Sequence, residues 1–421
     1  MIRKSELVTR RKFVQGSAAL AAASTFTIVK AESVRGTAAN SKVEIGWVGC
    51  GGQGTRDAEN LEKTGKAKIV AVGDYFQDQL DKARARFQVD GQNAFKGMDA
   101  YKSVIGTKVD AVLLTTPPGF RPEHFKAAVG AKKHVYMEKP LAVDVAGCHT
   151  IAEAGDKSLM NKLTVVVGLQ RHYSKAYRAC KKLIDEGALG TIAMAHSAWD
   201  QDSDLWRREK RKEMPSQLDY EIRNWYYFKW LCGDHIVEQN IHNIDVINWM
   251  LGQHPVRASG AGGTLVRKDI GEIYDHFSIV YEYANGVLSS NTCVQIPGVL
   301  GDVSETIRGS KGVFTTTAGK GGTGGTRIEG VRDRKSGETP MIYKYEGGED
   351  KHYDQEAATF VSSVLGTGEG EDKYRNDTRY GMESTFTAIL GREAAYRRET
   401  LTWDGLWNTK QRLTFKPRSE A

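Results

Sequence analysis

From Val43 onward the chain alternates short apolar runs with polar, helix-compatible stretches. The runs are Val43–Val48, Ala67–Gly73, Ala111–Thr115, His134–Met137 and Leu163–Gly168. Short apolar runs without alternation suit strands covered on both faces. Between them the pattern predicts a helix after Gly49, a short one over Pro122–Gly130 and another over about Val143–Ser158. Strand and helix in turn predict a parallel, doubly wound α/β sheet over residues 43–168. Past residue 170 the texture changes. Ser174–Glu186 reads as a helix stopped by Gly187, Thr191–Trp199 as a strand, and Ile236–Leu251 as one helix ending at Gly252. His276–Tyr283 and Gly286–Gln295 alternate with period two around Ala284-Asn285-Gly286, a hairpin signal. Gln355–Leu365 and Arg379–Arg398 read as further helices, and Gly319–Gly325 as a surface loop. Residues 169–421 are therefore expected to form an α+β domain with an open, mostly antiparallel sheet and helices on one face.

The first strand runs into Gly49, Gly51 and Gly54, spaced G-x-G-x-x-G, with Gly52 and Gln53 between them. With 45 glycines in the chain the spacing alone says little. Here a strand precedes it, a helix-compatible segment follows, and a second apolar run ends in Asp74, twenty residues after Gly54. That set is the fingerprint of a dinucleotide site. Gly49 permits the turn, Gly51 lets the backbone approach a pyrophosphate, and Gly54 lets the helix pack on the sheet. The helix N-terminus offers N–H groups and a positive dipole end to phosphate. Asp74 would accept from the ribose hydroxyls and repel a 2′-phosphate, which favours NAD over NADP.

Charge adds little beyond the N-terminus. The formal charge is +7, but residues 1–31 hold six basic residues and one acid, and the remainder carries 53 basic and 51 acidic residues. No nucleic-acid partner is implied. Thr9-Arg10-Arg11-Lys12-Phe13-Val14, a small-residue run over Gly16–Val29 and Val29-Lys30-Ala31 read as a twin-arginine signal peptide over residues 1–31, with a linker over 32–42. This predicts export, to a periplasm where free NAD is scarce and a cofactor loaded before export would be held tightly. No other run is long enough to span a bilayer, so no membrane partner is expected. The five cysteines form no C-x-x-C pair, and no H-E-x-x-H is present, so no metal site is expected.

The order of the glycine loop, Thr115-Thr116-Pro117-Pro118, His124, Glu138-Lys139-Pro140 and the segment Gly233–Trp249 resembles the Gfo/Idh/MocA oxidoreductases. The resemblance implies a Rossmann domain followed by a substrate-binding and oligomerisation domain, and hence a homo-oligomer. It implies that Thr115, Thr116, Pro117, His124, Glu138 and Gln170 border the cofactor, and that Lys139 reaches nicotinamide and the reacting hydroxyl. A lysine at the carboxyl end of a parallel strand faces the ligand crevice on physical grounds as well. Glu238 and His242 stand at i and i+4, which puts them on one face of a continuous helix, with Asp245 three further on. The resemblance makes His242 the general base, an imidazole near its ordinary pKa. Glu238 stands where the family has Asp, its extra methylene shifting the carboxylate by roughly 1 Å. Arg171, Tyr173, Trp225 and Asp245 are candidates for substrate contact; aromatic faces beside polar groups suit a carbohydrate.

The expected activity is hydride transfer between nicotinamide and a sugar, polyol or related hydroxyl compound. The alternative is a redox-neutral glycosidase or lyase that keeps its NAD, although the His-Gly-Leu-Gly type segment of such relatives is missing. A nucleotide- or sugar-sensing binding protein is the non-enzymatic alternative. Retention of Lys139 and His242 argues against it.

Overall fold

The apolar runs of the first half assemble into a six-stranded parallel sheet in a computed structural model that describes residues 42–202, 210–317, 325–348 and 350–417. The signal peptide over 1–31, all but the last residue of the linker, and most of the Gly319–Gly325 stretch lie outside the described residues. The strands are β1 (Val43–Val48), β2 (Ala67–Asp74), β3 (Ala94–Lys96), β4 (Ala111–Leu114), β5 (His134–Met137) and β6 (Val165–Val167), in the order β3-β2-β1-β4-β5-β6. β3 is three residues long, too short for a pattern to announce.

The mostly apolar character of these strands has a direct cause. Alternate residues feed two separate cores, one on each face of the sheet. Val112 and Leu114 join one cluster with Val135, Met137 and Val165. Ala111 and Leu113 join the other with Ile45, Trp47, Ile69 and Tyr136. The chain leaves β1 toward β2 on one side, and β4 lies on the other, Val48 opposite Leu114. The connections reverse direction there, so a crevice opens at the carboxyl ends of β1 and β4, where α/β sheets bind ligands.

A nine-stranded sheet follows. Its strands are β7 (Ile192–Gln201), β8 (Pro255–Gly263), β9 (His276–Tyr283), β10 (Leu288–Gln295), β11 (Asp302–Gly309), β12 (Gly312–Thr315), β13 (Arg327–Gly330), β14 (Met341–Lys344) and β15 (Leu401–Thr402). Their order is β14-β13-β12-β11-β7-β10-β9-β8-β15, antiparallel except for the β7–β10 pair. The β9–β10 hairpin turns at Gly286, with φ +84°. The Thr378–Arg397 helix packs on β8 and β9 and on the Val145–Met160 helix of the first sheet. One apolar cluster therefore runs from Leu114 through Ile389 to Ile279 and Phe314.

The helix expected over Ile236–Leu251 is broken. Its first part is His235–Glu238 and its second Ile241–Leu251. Asn240 is drawn to the second sheet, its amide donating to Asn291 Oδ1 at 2.9 Å and to the Thr292 carbonyl at 2.9 Å. Glu238 and His242 therefore do not share the face of one continuous helix.

Candidate active site

β1 delivers Gly49 to the crevice with φ +93°, a conformation that needs glycine. The Gly52–Lys63 helix then begins without a side-chain cap and without acid in its first turn. Its N–H groups and dipole are left for a ligand. A Cβ at Gly54 would lie 2.2 Å from Thr115 Oγ1 and 2.7 Å from the Gly49 carbonyl, so only glycine lets this helix sit so close to β4. At Gly51 and Gly52 a Cβ would meet nothing within 4 Å; that side faces open space.

That space is a cavity of about 530 Å³. It is lined by the glycine loop with Gly49, Gly51, Gly52, Gln53 and Gly54, by Asp74, by Thr115, Thr116, Pro117 and His124, and by Glu138, Lys139 and Gln170. Glu238, His242 and Trp225 line the same cavity. Asp74 accepts from the Cys50 N–H at 2.7 Å and the Phe76 N–H at 2.8 Å, one on each carboxylate oxygen. Each oxygen keeps further acceptor capacity for a hydroxyl. His124 is held by stacking on Tyr101 at 4.2 Å and by the Thr116 hydroxyl at 3.2 Å. Gln53 donates to Asp57 at 2.8 Å and toward Glu138 at 3.4 Å. Burial first, then Glu138, pushes the Asp57 carboxyl well above the usual carboxylate range.

At the end of β5, Lys139 Nζ donates to the Glu238 carbonyl at 2.7 Å and to Glu238 Oε1 at 3.0 Å. Both side chains are buried, 10% and 6% exposed. Burial raises the Glu238 carboxyl, and Lys139 followed by Arg121 pulls it back. His242 stacks on Trp199, with ring centroids 5.5 Å apart. Its imidazole is not near its ordinary pKa. Burial, and then the charges of Lys139 and Arg171, push it well below, so the ring is neutral. Five buried polar atoms of cavity-lining residues have no partner: Arg121 Nε, Gln170 Oε1, Arg223 Nε, Glu238 Oε2 and His242 Nδ1. Such capacity calls for a polar ligand. With the uncapped helix and the open side of Gly51, the site fits a dinucleotide together with a hydroxylated compound.

Three of the residues expected at the substrate do not line this cavity. Arg171 is committed to Glu305 and to Asn243 Oδ1 at 3.0 Å. Tyr173 donates to Asp377. Asp245 pairs with His172 at 2.8 Å and accepts from Ser384 at 2.8 Å. Their partners come from distant parts of the chain and bind them into the packing between helices and sheet. Arg223, which heads the aromatic segment read as suiting a carbohydrate, lines the cavity with Trp225; Arg121, Trp199, Ile222 and Tyr353 line it without having been expected there. Arg121 is 2% exposed and ties the loop after β4 to the turn after Lys139, bonding the Thr116 carbonyl at 2.5 Å and the Pro140 carbonyl. Its one sequence signal is a basic residue immediately before Pro122. Among the described residues no group of three or more His, Cys, Asp or Glu is arranged to hold a metal ion.

Residues 43–167 match the model of an oxidoreductase family with an NAD-binding Rossmann fold, and residues 177–315 match the GFO/IDH/MocA C-terminal domain. Inositol 2-dehydrogenase of Burkholderia cenocepacia is 28% identical over 246 residues, which span 58% of this chain and 65% of that protein. Levoglucosan dehydrogenase, solved in complex with NADH and L-sorbose, superposes with a TM-score of 0.70 at 16% identity, over 86% of this chain and 99% of that one. The aldose–aldose oxidoreductase of Caulobacter crescentus superposes with a TM-score of 0.67 at 16% identity, over 86% and 99%. The two structures share the fold. With the glycine loop at the switch point, the Glu138-Lys139-Pro140 turn and two family models matching consecutive parts of it, the chain belongs to the Gfo/Idh/MocA family of oxidoreductases.

Proposed function

We propose that the protein is an NAD-dependent oxidoreductase that moves hydride between a CH–OH group of a sugar, polyol or related compound and nicotinamide. One observation carries the reading: the glycine loop and the Lys139, Glu238 and His242 side chains border a single cavity. When bound, the nicotinamide supplies the hydride acceptor. Gly49, Gly51, Gly52, Gln53 and Gly54 would hold the pyrophosphate and Asp74 the ribose, the carboxylate disfavouring a 2′-phosphate. Thr115, Thr116, Pro117, His124, Glu138 and Gln170 would border the rest of the cofactor. Lys139 stabilises alkoxide character on the substrate oxygen as the proton leaves, held in position by Glu238. His242 would take the proton on its imidazole ring. Burial and the charges of Lys139 and Arg171 keep the ring neutral at rest, and they also make it a weaker base than a free imidazole. Trp225 offers an apolar face for sugar C–H groups. Relatives named for inositol and levoglucosan support this substrate class.

The test is absorbance of reduced nicotinamide on mixing mature protein with NAD and a panel of sugars, polyols and chromogenic glycosides. Steady NADH accumulation, lost in His242→Ala, is the expected result. Release of chromophore without NADH accumulation would replace this reading with the redox-neutral one. We also propose that the twin-arginine segment exports the folded protein to the periplasm, and that the mature chain is a homo-oligomer.

A further inference from the structure

Ile222 and Arg223 reach the cavity from a segment that no dinucleotide motif includes. That segment, Ser216–Leu231, is fastened at two points of the crevice. On the β2 side, Tyr75 Oη donates to Asp219 Oδ1 at 2.8 Å. Arg223 grips Asp78 through two bonds, at 2.7 and 3.2 Å, and its guanidinium lies 3.6 Å over the Phe76 ring. The Arg223 guanidinium lowers the Asp78 carboxyl to about 2. Tyr75 and Phe76 directly follow Asp74, the acid that ends β2. On the β4 side, the Gly119 N–H donates to the Leu231 carbonyl at 2.8 Å, and Trp230 meets the Phe120 ring edge-on at 5.8 Å. A Cβ on Gly119 would fall 2.1 Å from the Trp230 carbonyl, so the contact admits no side chain. Ile222, Tyr226, Phe228 and Leu231 form a small apolar core of their own, against which Tyr75, Phe76 and Phe120 pack.

Both loops that bracket the switch point are therefore bonded to one strap from the second half of the chain. We propose that Ser216–Leu231 is the outer wall of the adenosine subsite, with Arg223 and Ile222 facing the nucleotide, and that it makes the dinucleotide a resident group released only when the strap lets go. This rests on the nucleotide reading above. A nucleotide lying along the crevice has the glycine loop on one side and the strap on the other. Leaving it requires loss of the Asp78 and Asp219 anchors or of the Gly119–Leu231 contact.

The experiment is the release rate of bound NADH, followed by fluorescence on chase with excess NAD, in wild-type protein and in Arg223→Ala, Tyr75→Phe and the double variant. Most of an interface change falls on the off-rate, so release should quicken about tenfold or more in Arg223→Ala and by a smaller factor in Tyr75→Phe. Wild-type protein should keep its nucleotide through gel filtration. Tyr75→Phe removes one hydroxyl and keeps the test open if Arg223→Ala does not fold. Release rates within about twofold of wild type in the folded variants would overturn the proposal while leaving the nucleotide site standing. Wild-type protein that binds neither NADH nor NADPH would overturn both.

Discussion

Replacing Lys139 by methionine removes the nearest cation from a buried carboxylate. Coulomb's law at the observed 3.0 Å and an effective dielectric of about 20 sets a ceiling of about 5 kcal/mol on the pair. Arg121 remains, and the carboxyl can escape its charge by taking up a proton, so the expected loss of stability is about 3 kcal/mol at pH 8. The sign with pH follows from the direction of the shift. Burial already raises the Glu238 carboxyl above its unfolded value, and losing Lys139 raises it further. A group raised in this way contributes stability that is fully present below the unfolded pKa, about 4.3, and lost as pH rises through the folded one. The deficit therefore narrows as pH falls, toward about 1 kcal/mol, the cost of the missing hydrogen bond, as the variant's carboxyl takes up its proton. Urea unfolding of both proteins at pH 5 and pH 8, compared at equal m-values, reads the gap directly. In turnover, kcat/KM should fall by about 10²–10⁴, the span of a proton-handling group. A gap constant within about 0.5 kcal/mol across this range would refute the charge compensation. A kcat/KM within about threefold of wild type would refute the catalytic assignment of Lys139.

Gly54→Ala must push the Gly52–Lys63 helix away from Thr115, so it should cost about 1–3 kcal/mol and weaken NADH binding about tenfold or more; unchanged affinity by fluorescence titration would mean that this close packing does not shape the loop. Asp234 is fully buried with φ +90° and ψ 162°, a region suited to glycine, and is held there by bonds from Tyr396 at 2.7 Å and from the His235 N–H at 2.6 Å. Asp234→Ala keeps the strain and loses the anchors, so it should be about 1–2 kcal/mol less stable than Asp234→Gly in urea unfolding; equal losses would show that the backbone conformation is not the constraint. Replacing Arg10 and Arg11 together by lysine should hold the precursor in the cytoplasm of a host with the twin-arginine pathway; an undiminished periplasmic yield would refute that route.

What could be read without coordinates was whatever local pattern dictates. β1, β2, β4, β5 and β6 were legible because each is buried on both faces for most of its length, so apolar residues outnumber the few polar ones, Glu44, Lys68, Asp74 and His134. The glycine loop was legible because its spacing expresses two contacts, a turn at Gly49 and a close approach at Gly54, that exclude side chains. The failures share a cause. Arg171, Tyr173 and Asp245 lie near crevice residues in sequence and carry suitable chemistry. Their fate is decided by Glu305, Asp377, His172 and Ser384, none of which a local reading can bring near. Arg121 was missed for the converse reason, since it is held at the cavity by the carbonyls of two turns.

The same tertiary contact explains why glutamate serves at position 238. In an unbroken helix Glu238 and His242 would stack one above the other, and a carboxylate one methylene too long would crowd the imidazole or overshoot Lys139. Asn240, tied to Asn291 and Thr292, ends the first turn before that register is set. Glu238 then closes its own short helix, where its carbonyl as well as its carboxylate is free to meet Lys139 Nζ. His242 belongs to the next helix and packs on Trp199 of β7. The two residues therefore answer to different parts of the fold, Glu238 to the first sheet through Lys139 and His242 to the second. The length of the side chain at 238 is set by its distance to Lys139 and not by the helical spacing to His242.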